Sequence, residues 1–554
     1  PVDPNQPVHA ILLVDNSING LFVRIRTDLG QALDRLSVAA RWDDTDVVHV
    51  GSEHLLIDGT PGGPTLDAAS GDLVARYDAR LRIDPGLVVK LQGARIEAEM
   101  SAQLIAEGTA ERPVIFTSLK DDRYGAGGTV DTNNDLVATQ AEPGQWGGIF
   151  FNAMSTGSLD HVLISFAGGQ TPIEGGFDQF AALEIHQANV RLTNSLLTRN
   201  ESGQASSDRV GRGGNEASTI FIRGAQPILV HNTLLDNAGP ALSIDANSLK
   251  AATVTDWGRA TGRSDRFSQY ADNHGPLVRQ NLLDNNAIEG LVVRGAVLTT
   301  ESVWDDTDIA HVLFDEIILL NYHTLSGLRL QSGERESLVV KLGSPTAGFT
   351  ANGQPLDIDD RVGGSLYVLG TSHYPVIFTS LKDDSVGAGV GFNGLPLTDT
   401  NNDGPSEGTP GDWRSIRLGQ YSNDRNVELV RESEPLLTGG QDVNATSATA
   451  QILGVLAPNL KSGDADRRLG FQVHGFIAAD DPTDLDVYGF TAPGGTEVWI
   501  DLDLTGPSLD AIVELFRADG TVLASSYDNE TLSGLANPLV TYTWQGLDFY
   551  SMDT

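Results

Sequence analysis

Short apolar runs rich in β-branched residues recur along most of the chain, each closed by glycine, proline or asparagine. The stretch "LRIDPGLVVKLQGARIEAEMSAQLIAEGTAERPVIFTS" (81–118) reads as strand, turn, strand, turn, with Gly and Pro as punctuation. Apolar spacing at the helical period is poor throughout, so no long amphipathic helix is expected. The pattern predicts an all-β chain.

The runs also repeat. "ARWDDTDVVHV" (40–50) returns as "ESVWDDTDIAHVL" (301–313), and "PVIFTSLKDD" starts at Pro113 and again at Pro375. "DTNND" starts at Asp131 and Asp399, "GQWGGI" (144–149) is echoed by "GDWRSI" (411–416), and "LVVKL" occurs at 87–91 and 338–342. The separations are nearly constant, so about 18–150 and 288–420 are two copies of one long unit. Between them lies a shorter rhythm: "VRLTNSLLTRN" (190–200), "ILVHNTLLDN" (228–237) and "LVRQNLLDNN" (277–286). Asn194, Asn232 and Asn281 head these units. Asparagine at a repeated turn tolerates left-handed backbone and passes side-chain hydrogen bonds from coil to coil. The polar, Gly-rich tracts 201–218 and 255–275 read as loops projecting from the body.

Taken together, these units resemble the right-handed parallel β-helix repeats of bacterial exported proteins. The resemblance covers roughly 1–435 and implies a solenoid with a stacked Val, Ile and Leu core. The pattern changes near 436. From there to 554 the chain resembles the bacterial pre-peptidase C-terminal domain, a small jelly-roll-like β-sandwich. The matching stretches are "DLDVYGF" with Asp486, Tyr488 and Phe490, then "GGTEVWIDL" and "LDAIVELFRADGTVLASS". "TGGQDVNATSATAQ" (438–451) reads as the linker. The tract from Leu539 to Tyr550 reads as strand, and the family's last strands are missing, which is the expectation for a module cut short. A start at Pro1, without initiator Met or signal peptide, suits a processed or partial chain.

Composition narrows the function. The 74 acidic against 36 basic residues give a formal charge of −38, which repels phosphate backbones and favours divalent cations. No nucleic-acid partner is expected. Cysteine is absent, so neither disulfides nor thiolate sites exist. No apolar run approaches a membrane span.

The strongest chemical pattern is an acidic loop present in both copies. In the first, Asp121 and Asp122 precede Asp131, Asn133 and Asp135; in the second, Asp383 and Asp384 precede Asp399, Asn401 and Asp403. The D-x-N-x-D spacing sets several side-chain oxygens on one side of a tight loop, as calcium requires. Gly404 follows Asp403 as calcium loops prefer; Leu136 follows Asp135 and breaks that preference. Neither loop has the Glu of an EF-hand. The plain alternative is a solvated cluster of Asx turns. "WDDTD" (42–46 and 304–308) reads as a turn linking coils, with a second cation site or a carboxylate pair as the functional alternative. His161, His186, His231, His274 and His311 form no zinc pattern. Asp480, Asp481, Asp484 and Asp486 read as a solvated start of a strand, with a bound cation as the alternative.

No catalytic motif stands out. The expectation is a non-catalytic, calcium-stabilised protein of the bacterial cell surface or matrix, a fibre, sheath or adhesin component. Its partners would be its own copies, another surface protein or polysaccharide. The alternatives are a secreted polysaccharide lyase or hydrolase on a β-helix, with Arg209 and Arg212 as its basic spot, or the non-catalytic part of a larger exoenzyme.

Overall fold

A computed structural model describes residues 13–553, except for 25–34, 60–64, 67–72, 75–78, 137, 175, 208, 263–265, 268–269, 271–272, 321–326, 353–363, 393, 420–421, 423–426, 434–442, 457–469, 476–484, 495–496, 502–511, 528–538 and 544–546. Among the described residues the structure is all-β, with one short 3-10 turn at Ala246–Ser248. Two compact units emerge. The first comprises Pro1–Leu319, Gly327–Thr350 and Leu366–Arg417; the second comprises Leu320–Ser326, Ala351–Ser365 and Leu418–Thr554.

The first unit is a parallel β-solenoid. Three long sheets of eight, seven and ten strands are built by a chain that visits them in a fixed cycle. One coil runs Gln103–Glu107, Val114–Ser118, Gly148–Phe151; the next runs Thr156–Asp160, Val162–Ser165, Leu183–His186. Their pairings are parallel and in register. Parallel register stacks like positions on like. Across the ten-stranded sheet one column runs Leu55, Ile96, Ile149, Leu183, Ile220, Leu242, Leu291, His311, Val340, Phe378. Most members are buried aliphatics, each contributing about 1.5–3 kcal/mol by leaving water.

His311 sits in that core column. Its ring stacks on Trp304 at 5.2 Å, as His49 stacks on Trp42 at 5.1 Å. Burial pushes His311 down to about 3, so it packs as a neutral aromatic ring. "WDDTD" is therefore the turn that delivers this Trp–His pair, as the architectural reading expects.

The corners of the central coils are held by two side-chain ladders. In one, Asn200 N–H donates to Asn237 Oδ1 (3.1 Å), and Asn237 Nδ2 donates to Leu197 O (3.0 Å) and Asn286 Oδ1 (2.7 Å). In the other, Ser195 N–H donates to Asn232 Oδ1 and Asn232 N–H to Asn281 Oδ1. Asn194 stands one residue out of the asparagine ladder, although it still passes a hydrogen bond from coil to coil, its Nδ2 donating to Asp160 Oδ1 at 2.9 Å. It takes the left-handed position before the rung (φ 50°), which His231 (φ 58°) and Gln280 (φ 53°) take in the following coils. Ser195 fills the ladder position instead.

The second copy joins the first with a change of face. Leu21–Phe22, His49–Gly51, Val88–Leu91 and Val114–Ser118 lie on the eight-stranded sheet. Their sequence counterparts Ile288–Arg294, His311–Leu313, Val339–Leu342 and Ile377–Ser380 lie on the ten-stranded sheet. That sheet therefore runs through both copies, while separate four- and three-stranded sheets complete the second.

In the two tracts expected to project, described residues pack against the body instead. Residues 201–218 lie against the ten-stranded sheet, where Arg209 and Arg212 reach strand carboxylates. In the 255–275 tract, Phe267 and Tyr270 pack on Ile228, Val230 and Leu277 of the seven-stranded sheet. Charged and aromatic residues on the outer strand faces draw the loops down.

In the second unit a five-stranded sheet orders Gln451–Val455, Asp486–Ala492, Leu547–Asp553, Ile512–Arg517 and Val522–Tyr527. Phe490, Ala492, Val513 and Leu515 of this sheet share a buried cluster with Val498 of a separate two-stranded sheet. The tract 539–550 divides into Leu539–Thr543 and Leu547–Asp553, which join different sheets. Asp486 is buried at the start of its strand, while Asp480, Asp481 and Asp484, and most of the 438–451 linker's first residues, lie outside the described residues.

Asn237→Ala should lower stability by about 2–4 kcal/mol, because it leaves the Asn200 amide and the Leu197 carbonyl buried without partners. The exposed Asn189→Ala should change stability by less than about 0.5 kcal/mol. Urea unfolding of both variants checks the contrast.

Candidate acidic loop sites

Each acidic loop bridges two strands: 119–147 follows Val114–Ser118, and 381–414 follows Ile377–Ser380. Both loops fold back onto the first coil of their own copy. Asn19 N–H donates to Thr132 O, and Glu289 N–H donates to Thr400 O, each at 2.7 Å. Gly20 and Gly290, beside these bonds, are required by the adjacent strand of the next coil, at Val48 and Ala310, while the loop threonine lies at ordinary contact distance. A Cβ on either would stand within 2.8 Å of a backbone oxygen and 3.5 Å from the methyl of Thr132 or Thr400.

Within each loop the spacing works alike. Asp131 accepts the Asp135 and Leu136 amides at 3.0 and 2.8 Å; Asp399 accepts the Asp403 and Gly404 amides at 3.2 and 3.0 Å. Asn133 donates to Asp135 Oδ2 and Asn401 to Asp403 Oδ2. The structure brings Asp122, Asp131 and Asp135 together, and likewise Asp384, Asp399 and Asp403, each trio with one oxygen per residue within 4.8 Å of the others. Buried oxygens remain without hydrogen-bond partners: Oδ1 of Asp122, Asn133 and Asp135 in the first loop, and Oδ1 of Asp384 and Asn401 in the second.

Asp121 and Asp383 belong elsewhere. Asp121 accepts from Thr117 Oγ1 and from Arg123 at 2.8 and 2.9 Å. Burial opposes its charge, but Arg123 and Thr117 outweigh burial and hold the carboxyl below its usual range. Asp383 accepts from the Ser385 amide and hydroxyl and from Thr379, which lower it in turn. Both anchor the turn that begins the loop. Asp122, in contrast, is pushed up by burial, with Asp131 and Asp135 adding to the effect against Lys90.

A lysine lies beneath each loop. Lys90 and Lys341 are fully buried. Lys90 Nζ donates to Val130 O at 2.8 Å; Lys341 Nζ donates to Thr398 O at 2.6 Å and Asp383 O at 3.0 Å. Burial drives Lys90 down to about 8 against the pull of Asp122, Asp121 and Asp131, and lowers Lys341 similarly. Sequence reading passed over these lysines. Their signal was a lysine inside the apolar "LVVKL" of both copies.

The other candidates are accounted for by packing. Arg209 pairs with Glu184 at 3.0 and 2.7 Å, and Arg212 with Glu97 at 2.8 and 3.0 Å and with Glu174. Burial works against the Glu184 charge, but His186 and Arg209 more than offset it and hold the carboxyl down at about 2. His161, His186 and His274 each face a carboxylate, His231 faces Tyr270 and Gln280, and no acidic–histidine group of metal-binding geometry occurs among the described residues. No described helix is long and apolar enough to cross a membrane. No protein-family model, curated protein or solved structure matches the chain.

The two loops differ at one strained position. Leu136 adopts φ 65° where Gly404 has φ 83°, and its side chain is 79% exposed. Leu136→Gly should therefore stabilise the first loop by up to about 1 kcal/mol, and Gly404→Leu should destabilise the second by about 1–2 kcal/mol. Hydrogen exchange at the Asp135 and Asp403 amides reads both effects.

The clamp on 201–218 carries its own expectation. Arg209→Met leaves Glu184 buried and less well paired, at a cost of about 3–5 kcal/mol, and Glu184→Gln in the same chain should recover much of it. A carboxyl held below its unfolded value contributes stability above about pH 4.5 and loses it as pH falls toward 2. Limited proteolysis by an acid protease should therefore find 201–218 protected at pH 4.5 and cut near pH 2.

Proposed function

We propose that this chain is a non-catalytic structural or interaction component of a bacterial surface or extracellular matrix, stiffened by calcium held in the two acidic loops. The observation that carries the reading is the convergence of three carboxylates in each loop, together with buried oxygens there that lack partners: those of Asp122, Asn133 and Asp135 in the first loop and of Asp384 and Asn401 in the second. All are acceptors, and no protein donor reaches them. A hard divalent cation with six to eight oxygen ligands would satisfy them, with Asp122, Asp131, Asn133 and Asp135 in the first loop and Asp384, Asp399, Asn401 and Asp403 in the second. Water and backbone carbonyls would complete the shell. Crowding three partly buried carboxylates in the first loop without a cation is unfavourable, and Asp122 is pushed up by burial, with Asp131 and Asp135 adding to it.

The setting follows from chemistry and resemblance. Calcium at extracellular concentration suits weak, loop-built sites. The resemblance of the repeats in 1–435 to those of bacterial exported β-helix proteins, and of the sequence 436–554 to the pre-peptidase C-terminal domain, supports a secreted or surface location. A rod of stacked coils suits self-association into a fibre or sheath, or an adhesin that meets another surface protein or polysaccharide. The lyase alternative loses its basic spot, because Arg209 and Arg212 are engaged in buried ion pairs.

Thermal unfolding with calcium and then with excess chelator tests the reading. Calcium bound only to the native state should raise the melting temperature, by about 2.7 kcal/mol of stability at one hundred times Kd. Asp131→Asn and Asp399→Asn should each remove part of the rise, and the double variant nearly all of it. An unchanged melting temperature would return both loops to solvated turns.

A further inference from the structure

We propose that Lys90 and Lys341 are resident counter-ions of the acidic loops, each standing in for part of the cation's charge and thereby setting how tightly the loop holds calcium. The inference rests on the calcium reading above and adds residues that the D-x-N-x-D pattern does not contain.

Both lysines occupy the same place in the duplicated unit. Each lies on a "VVKL" strand, is fully buried, and reaches the carbonyl of the residue immediately before D-x-N-x-D, Val130 or Thr398. A lysine is seldom buried unless paired. Here its charge is drawn by Asp122, Asp121 and Asp131 in one copy and by Asp384, Asp383 and Asp399 in the other. Hydrogen bonding to one carbonyl, as at Lys90, or two, as at Lys341, would need only a neutral donor. An ammonium kept at both positions, facing three aspartates each time, answers a charge.

The charges can be counted. Each trio carries three negative charges, and its lysine cancels one. Two remain, which one divalent cation neutralises. The lysine thus lowers repulsion in the empty loop and weakens the attraction for calcium, since like charges near one site couple unfavourably. The same count ranks the two loops. In the first copy Arg123 neutralises Asp121. In the second, Ser385 stands at the place of Arg123, so Asp383 keeps its charge beside the site. The second loop is the more negative and also carries the unstrained Gly404. It fills first.

The test uses the full chain and calcium chloride as the only probe. Melting temperatures of wild type, Lys90→Met and Lys341→Met are measured in chelator and in saturating calcium, with calcium affinity by calorimetry. If the lysines are counter-ions, each variant loses more stability in chelator than in calcium. Its calcium-induced rise then exceeds the wild-type rise, and calcium binds the altered loop roughly tenfold tighter. Equal losses in both conditions would show that the lysine serves only the carbonyl and would overturn the proposal. Should a methionine variant fail to fold in chelator, Lys90→Met combined with Asp122→Asn supplies the measurement: recovery of the fold by removing one carboxylate supports the charge balance, and no recovery counts against it. Asp399→Asn should abolish the tighter of two binding phases and Asp131→Asn the weaker; the reverse order would overturn the ranking. A wild type without any calcium response removes the calcium reading and this inference together. A wild type that responds, with lysine variants that respond identically, removes this inference alone.

Discussion

Each coil of a parallel solenoid must offer the next coil the surface that it was itself offered. Backbone register enforces this along the strands, and the ten-residue column from Leu55 to Phe378 is the result. At the corners the backbone enforces it only in part, through bonds such as Asn194 N–H to Val230 O and His231 N–H to Arg279 O. There, turn amides and carbonyls face the interior and need partners that repeat from coil to coil. The Asn200–Asn237–Asn286 ladder supplies them, each amide bonding both along the stack and to a carbonyl of the coil below. Glu289 closes the ladder by accepting from Asn286, where the second copy begins.

The outer faces of the same sheets show what happens when that repetition is relaxed. Lys90, Glu97, Glu184, Arg191 and Lys341 all lie on strands yet are buried, because loops fold down over them. Arg191 meets Asp256 in this way, at 2.8 Å. Such pairs add little net stability relative to an apolar interface, but they fix where each loop must lie. The acidic loops follow the same plan, with a lysine below and carboxylates above.

Much of this was legible in the chain. Short β-branched runs announced strands, and the duplication marked Asp122, Asp131 and Asp135 and their partners as one set before any geometry existed. Three things were not legible. The ladder register was misplaced by one residue at Asn194, since Asn suits both the left-handed position and the rung, and only the paired backbone tells them apart. The roles of Asp121 and Asp383 depend on Thr117 and Thr379, four residues earlier on a strand, which no spacing rule connects to a metal loop. The descent of 201–218 depends on Glu97, more than a hundred residues away from Arg212. Local pattern predicts elements; such long-range charge pairs decide where the loops between them come to rest.

The change of face between the copies has a consequence for where the acidic loops lie. The ten-stranded sheet is shared, and its strands all point the same way. The first acidic loop leads into Gly148–Phe151, whereas the second leaves from Ile377–Ser380. The first loop folds over Lys90 of the eight-stranded sheet and the second over Lys341 of the ten-stranded sheet, so the two loops lie on different faces of the solenoid. Duplication with a turned phase thus sets the two acidic loops on different faces, where aligned copies would have placed them on the same one.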